Sequence, residues 1–284
     1  MDGALARMLR ERAGIEPRAC APLAGGCVGE VYRVSAADRD VVVKVDRRSR
    51  PLLDIEGRML RCLAEHSSLP VPGVLLAEPD LLVMEFVEGE SRFNRAAQEH
   101  AARLLAALHG VEAPAFGLGW ETLIGGLPQP NPWTPSWIDF FRDARLLHMA
   151  DRALAEGVMP APLHRRLRAF AERLGDWLEE PERPALLHGD VWTTNVLARD
   201  GRVTAFIDPA VYYGHPETEL AFITLFNTFG DPFFDAYHAL RPIRPGFFEL
   251  RRDIHNLYPL LVHARLFGSS YLDGVERVIA RLGF

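Results

Sequence analysis

Ala185-Leu186-Leu187-His188-Gly189-Asp190-Val191-Trp192-Thr193-Thr194-Asn195-Val196-Leu197, followed by Phe206-Ile207-Asp208, is the stretch on which the fold turns. Apolar runs flank it on both sides, so it reads as short buried strands with polar residues on the loops between them. Asp190 and Asn195 stand five positions apart, and Asp208 follows thirteen further on. One reading makes Asp190 and Asn195 turn residues and Asp208 a cap. The other makes them two carboxylates and a carboxamide gathered on rigidly held loops, where chemistry concentrates. The rest of the chain decides between the two.

Outward from this stretch, the chain has 284 residues, 32 basic and 38 acidic, for a formal net charge of −6. Nearly half of it is apolar and a quarter charged, an ordinary balance for a globular protein with a full core. Mild acidity argues against a nucleic-acid coat. The longest apolar runs, such as Leu257 to Val262, fall far short of the roughly 20 residues that span a bilayer. The Arg-rich start has no apolar signal-peptide core. Cys20, Cys27 and Cys62 cannot all pair and lack metal-ligand spacing, as expected of a reducing cytoplasm. The expectation is therefore a cytoplasmic protein with neither nucleic acid nor membrane as partner.

One count stands apart. Of the 32 basic residues only Lys44 is lysine. Codon bias would explain the loss of Lys elsewhere but not this survivor. A compact ammonium differs physically from a wide guanidinium fork, so position 44 is read as needing the ammonium.

Hydrophobic spacing predicts a helix over 3–13, strands over 18–23, 30–35 and 40–46, a helix over 52–65, and a strand pair over 74–77 and 81–86. After 86–90 (FVEGE) the character changes. Helices are predicted over 96–109, 136–155, 163–178, 217–229, 231–240, 246–267 and 272–282, with a loop over 111–135 and strands within 185–208. This is an α+β chain: a small β-rich N-terminal lobe over 1–87 with one inserted helix, and a larger, mostly helical lobe over 88–284. A cleft between such lobes is a common ligand site.

Strand, glycine turn, strand, Lys is the order over Leu23-Ala24-Gly25-Gly26-Cys27-Val28-Gly29-Glu30 and Val41-Val42-Val43-Lys44. Glycines let backbone N–H groups close on an anion, though the cluster alone reads equally as a plain turn. It lacks the P-loop spacing. Glu56, on the following helix, is a carboxylate that could hold the Lys44 ammonium, as the strand-Lys and helix-Glu pair does in protein kinases; its alternative is a solvated helix charge. With these, Asp190, Asn195 and Asp208 fit phosphoryl transfer: one Asp accepts the hydroxyl proton, while the Asn and second Asp hold Mg²⁺ on the phosphates. The protein-kinase signature is nevertheless broken. Gly189 replaces the Arg of H-R-D, Pro209-Ala210 follows Asp208, and no A-P-E or long activation loop comes after. A small-molecule kinase of protein-kinase-like fold is the expectation.

The chain resembles the fructosamine kinase (ketosamine-3-kinase) family, relatives of the aminoglycoside and choline kinases, over nearly its whole length. His188-Gly189-Asp190-Val191-Trp192-Thr193-Thr194-Asn195 carries the likeness, with Val191 and Thr193-Thr194 where the family usually has Leu and Ser-Gly. Ile207-Asp208-Pro209-Ala210-Val211-Tyr212-Tyr213-Gly214-His215-Pro216-Glu217 carries it further, as does Pro128-Gln129-Pro130-Asn131-Pro132-Trp133 with Trp137, Phe140-Phe141 and Arg145-Leu146. The resemblance implies ATP- and Mg²⁺-dependent phosphorylation of the sugar 3-hydroxyl of a ketosamine, a glycated small amine or a glycated protein lysine, leading to deglycation. It implies Asp190 as base, with Lys44 on the phosphates and Glu56 orienting it. Asn195 and Asp208 are the implied metal ligands, and Gly25, Gly26, Cys27, Val28 and Gly29 lie against the phosphates. The backbone of Glu85, Phe86 and Val87 is expected to meet adenine, beside Met84.

Trp192 reads either as a platform for the sugar or as a core residue. His215 and Glu217 either border the substrate or fix the loop and cap a helix, and the structural role is favoured. His188 and His109 are read as structural braces. Cys27 is either a thiol of lowered pKa, open to oxidation, or an inert small residue. Phosphorylation of an aminoglycoside or another amino sugar is the alternative activity, and a polycation of that kind would want an acidic pocket. A non-catalytic nucleotide-binding scaffold is the alternative from another class. Intact Lys44, Asp190, Asn195 and Asp208 speak against it.

Overall fold

The computed structural model describes residues 3–23 and 29–284. Gly25, Gly26, Cys27 and Val28 lie outside the described residues, so of the glycine turn only Gly29 is described.

Helix α1 (Gly3–Ala13) precedes strands β1 (Ala19–Pro22), β2 (Glu30–Ser35) and β3 (Asp40–Val45). Helix α2 (Leu53–His66) and strands β4 (Val74–Glu78) and β5 (Leu81–Glu85) follow. The five strands form one antiparallel sheet in the order β1-β2-β3-β5-β4. Alternation along β3 sets its chemistry. Val41, Val43 and Val45 are buried in a core with Leu5 and Leu9 of α1, so Val42 and Lys44 point to the opposite face. Helix α2 packs on β4 through an apolar stripe, and Gly57 permits the approach: a Cβ there would be driven into the Ala77 methyl. That close approach brings the neighbouring Glu56 to Lys44. Gly29, at φ +75°, packs against the end of β3, where a Cβ would strike the Val45 carbonyl.

The chain leaves the sheet at Glu85 and is mostly helical from there. Helix α3 (Arg95–Leu108) is capped by Asn94, whose side chain accepts from the Ala97 N–H. The segment expected to be a loop contains a hairpin, β6 (Thr122–Ile124) and β7 (Leu127–Gln129), turning at Gly125-Gly126, both at positive φ. The helix expected over 136–155 is α4 (Trp137–Phe140), a widened π turn (Phe141–Leu147) and α5 (His148–Ala155). Helix α6 (Ala161–Ala171) ends earlier than its apolar spacing suggests.

Strand β8 (Ala185–Leu187) leads to the Asp190 loop, and β9 (Val196–Arg199) and β10 (Arg202–Phe206) form a hairpin. Strand β11 (Tyr212–Gly214) pairs back onto β8. Helices α7 (Pro216–Leu225), α8 (Asp231–Leu240), α9 (Arg252–His255), α10 (Leu257–Phe267) and α11 (Leu272–Arg281) complete the chain. Among the described residues no helix is long and apolar enough to cross a membrane, and Cys20 and Cys62 are free thiols.

Candidate active site

Two β-pairs hold the Asp190 and Asp208 loops against each other. The Ala210 N–H donates to the His188 carbonyl (2.8 Å) and the Ile207 N–H to that of Asn195 (3.0 Å). Gly189 sits at φ +86°, where a Cβ would press into the Ala210 carbonyl group. Its N–H donates to Glu219 Oε1 (2.6 Å), while Glu219 Oε2 meets His109 Nε2 (2.8 Å) and His109 Nδ1 meets the Tyr237 hydroxyl (2.7 Å). Helix α7 is buried on nearly all sides, so its carboxylates must find partners inside the protein. Glu219 finds the loop that presents Asp190. Buried His188 accepts the Asp190 N–H through Nδ1 at 3.3 Å.

Asn195 is the hub. Its Nδ2 donates to Asp190 Oδ2 (2.9 Å) and to the Asp190 carbonyl (3.0 Å). With the amide nitrogen so used, Oδ1 is left for a cation, with only a long 3.5 Å contact from the Thr194 hydroxyl. Asp208 stands in the left-handed region at φ +52°, the kind of backbone strain that collects at functional sites. Lys44 is buried, and its Nζ donates to Glu56 Oε1 (2.7 Å) and Asp208 Oδ1 (2.5 Å). Burial would depress this ammonium, but the two carboxylates win and raise it. Burial pushes Glu56 up to about 7 against the pull of Lys44. Burial and then the charge of Asp208 push Asp190 well above the usual carboxylate range, opposed by Asn195. Two carboxylates thus share the Lys44 ammonium, Asp190 lies on the same cavity wall, and Arg48, also on that wall, is paired with Asp46. A divalent cation on Asn195 and Asp208 would correct this shortage of positive charge, and the oxygen donors suit such a hard ion.

Three cavities join here. The first is walled by Val31 and Val42 of the sheet and by Leu197 and Ile207 below, with Met84, Glu85, Phe86 and Val87 at its back. It opens onto Lys44, Asn195 and Asp208, which also line the second. Asp190, Trp192 and Gly125 line both the second and the third, which runs out along α7 and α10.

The structure therefore brings together Lys44, Glu56, Asp190, Asn195, Asp208 and Trp192 with the Met84–Val87 segment. It does not bring His215 or Glu217 to them; these line a separate cavity. His215 caps α7, its Nδ1 accepting the Glu217 N–H (3.0 Å), and Glu217 is paired with Arg251 at 2.8 and 2.6 Å. His215, Glu217 and His255 hold ligand atoms within 4.8 Å of one another, but the Arg251 guanidinium already occupies the Glu217 oxygens. Sequence reasoning missed Glu219, which looks like an ordinary acidic residue of a first helical turn. It also missed Val31, Val42, Leu197 and Ile207, which the period of two in β2 and β3 and the positions flanking Asn195 and Asp208 could have shown.

A β-sheet N-terminal region, a helical remainder and a lysine–carboxylate–carboxamide cleft define a phosphotransferase of protein-kinase-like fold. A crystal structure of a fructosamine-3-kinase candidate from Thermobifida fusca superimposes with a TM-score of 0.86 at 33% identity, over 98% of this chain and 99% of that one. A probable ketoamine kinase of Synechocystis is 33% identical over 267 residues, 90% of this chain and 88% of the relative. The chloroplastic protein-ribulosamine 3-kinase of Arabidopsis thaliana is 31% identical over 267 residues, 90% of this chain and 79% of the relative. The fructosamine kinase family model matches residues 1–283. The chain belongs to the fructosamine kinase family, whose members are kinases that phosphorylate an alcohol group and use ATP.

Proposed function

We propose that this protein transfers the γ-phosphoryl group of ATP to the sugar 3-hydroxyl of a ketosamine, a fructosamine or ribulosamine adduct, and so begins removal of the adduct. The observation that carries the reading is the position of Asp190, on the wall between the Lys44–Asn195–Asp208 cavity and the α7–α10 cavity. Residues 1–87 supply most of the nucleotide pocket in this reading, and 88–284 the base and the acceptor pocket. Adenine lies between Val31 and Val42 above and Leu197 and Ile207 below. The Glu85 and Phe86 N–H groups are spent on the Gly73 and Asp40 carbonyls, so the Val87 N–H, unpaired among the described residues, is the donor for the base.

Lys44, steered by Glu56, meets the phosphates. Mg²⁺ held by Asn195 and Asp208 supplies charge neutralisation on the phosphate oxygens. Asp190 takes the proton of the 3-hydroxyl as its oxygen bonds to phosphorus, and the bond from phosphorus to the β,γ-bridging oxygen breaks to leave ADP. Asn195, bonded to Asp190, holds the base in line. Trp192 forms the platform for the sugar ring. The 3-phosphate destabilises the adduct, which frees the amine.

The test is phosphorylation of fructose and ribulose adducts of a small amine beside an aminoglycoside panel, with Asp190→Ala as blank. Ketosamine phosphorylation that the variant loses supports the reading. Turnover of aminoglycosides in its place, or undiminished turnover by the variant, overturns it.

A further inference from the structure

The acceptor cavity has a second half that the transfer reaction does not use. From Trp192 a run of rings leads away from Asp190. Trp192, Phe222, His263 and Phe267 line the cavity, with His263 6.3 Å from Phe222 and 5.4 Å from Phe267, while Phe226, outside the lining, bridges Trp192 (5.7 Å) and His263 (4.8 Å). Phe267 is 56% exposed at the outer end. Leu266 closes one side, packed against the β6–β7 turn so tightly that a Cβ at Gly125 would lie 2.6 Å from its Cδ1.

The charge along this track is sparse. Among the described residues no Lys or Arg lines the cavity, and its carboxylates are Asp190 and Glu219. Both oxygens of Glu219 are taken by the Gly189 N–H and His109, so Asp190 alone can face a cation. His263 Nδ1 sits 2.8 Å from the Pro259 carbonyl, an acceptor only, so Nδ1 carries the hydrogen and Nε2 is a lone pair. Burial lowers its pKa, which keeps the ring neutral. A polycation would meet one carboxylate, already committed as base, and a file of rings.

We infer that the track between Trp192 and Phe267 receives the amine half of the acceptor as an elongated apolar group bearing a single positive nitrogen beside the sugar. The inference rests on the ketosamine reading above and narrows it. One cation near Trp192 is compatible with ring faces, and the apolar remainder is drawn along the track by removal of its surface from water.

The experiment compares kcat/KM for fructose adducts of methylamine, propylamine, hexylamine and 2-phenylethylamine, in the parent protein and in Phe267→Ser. Each added methylene is expected to raise kcat/KM about fourfold, the equivalent of ~0.8 kcal/mol, until the track is filled. Phe267→Ser is expected to cut the hexylamine-to-methylamine ratio about tenfold. An exposed ring is replaced, and urea unfolding of the variant checks that the fold is kept. A flat series, or a ratio that Phe267→Ser leaves unchanged, overturns the inference while ketosamine turnover still stands. Absence of turnover on every adduct defeats the underlying reading instead.

Discussion

Gly189→Ala places the smallest possible side chain at the point where the Asp190 and Asp208 loops touch. Two costs add. A residue with a Cβ at φ +86° leaves its preferred backbone region at roughly 1–2 kcal/mol. The new Cβ would also sit 2.7 Å from the Ala210 carbonyl carbon and nearer still to its oxygen. That carbonyl accepts Gln129 Nε2 at 3.1 Å, and the Ala210 N–H is tied to His188, so the strand cannot swing away freely. Overpacking of this sort costs about 1–3 kcal/mol. The sum, ~2–5 kcal/mol, is a large part of a typical folding free energy. Relief by moving the Ala210 segment displaces Asp208, two residues earlier, relative to Asp190. A shift of about 1 Å between reacting groups lowers kcat by about a hundredfold. Urea unfolding and single-turnover phosphorylation measure the two effects. Adding Ala210→Gly should recover little, because the obstacle is the carbonyl and not the methyl. Gly189→Ala within about 0.5 kcal/mol and about twofold of the parent protein would refute the reasoning, and with it the explanation of why Arg, which fills this position in protein kinases, has no place here.

Burial lowers His215 to about 3, and paired Arg251 overrides burial to hold Glu217 below the carboxylate range. Both folded-state values are depressed, so their stabilisation is complete above pH 6.5 and is lost as pH falls toward 3. Chemical unfolding across that range should show the decline, and His215→Asn, which keeps a capping acceptor, should make it shallower by up to one proton's worth. Arg145 is fully buried with no carboxylate partner among the described residues, stacked 4.0 Å over Tyr212 and bonded to the Pro130 carbonyl and Asn131 Oδ1. Arg145→Lys loses the planar fork and should cost about 2–4 kcal/mol, with faster hydrogen exchange over 122–131 as the local readout.

Local spacing exposed the residues whose chemistry is written in their type. Asp190, Asn195 and Asp208 stand out by their offsets between apolar runs, and Lys44 by being the one lysine. What spacing could not carry is anything set by a distant partner. Gly189 reads as a turn glycine, and its necessity lies in the Ala210 carbonyl. Glu219 reads as a helix-start acid until its oxygens are found beneath Gly189. Helix α10 is apolar enough to pass for a core helix, which hides that His263 and Phe267 border a cavity. Three-residue strands with a proline, as in Leu127–Gln129, are too short for a period of two to register, so the β6–β7 hairpin read as loop. His215 and Glu217 stand next to the Asp208 segment in sequence, yet α7 turns them toward Arg251 and His255.

The β6–β7 turn borders two cavities at once: Gly125 faces both the compartment beside Lys44 and the one that runs toward Phe267. A displacement of this tip that enlarges one chamber necessarily reshapes its neighbour. In the function proposed above, any displacement of the turn on nucleotide binding would couple to the acceptor, and such a coupling is reciprocal.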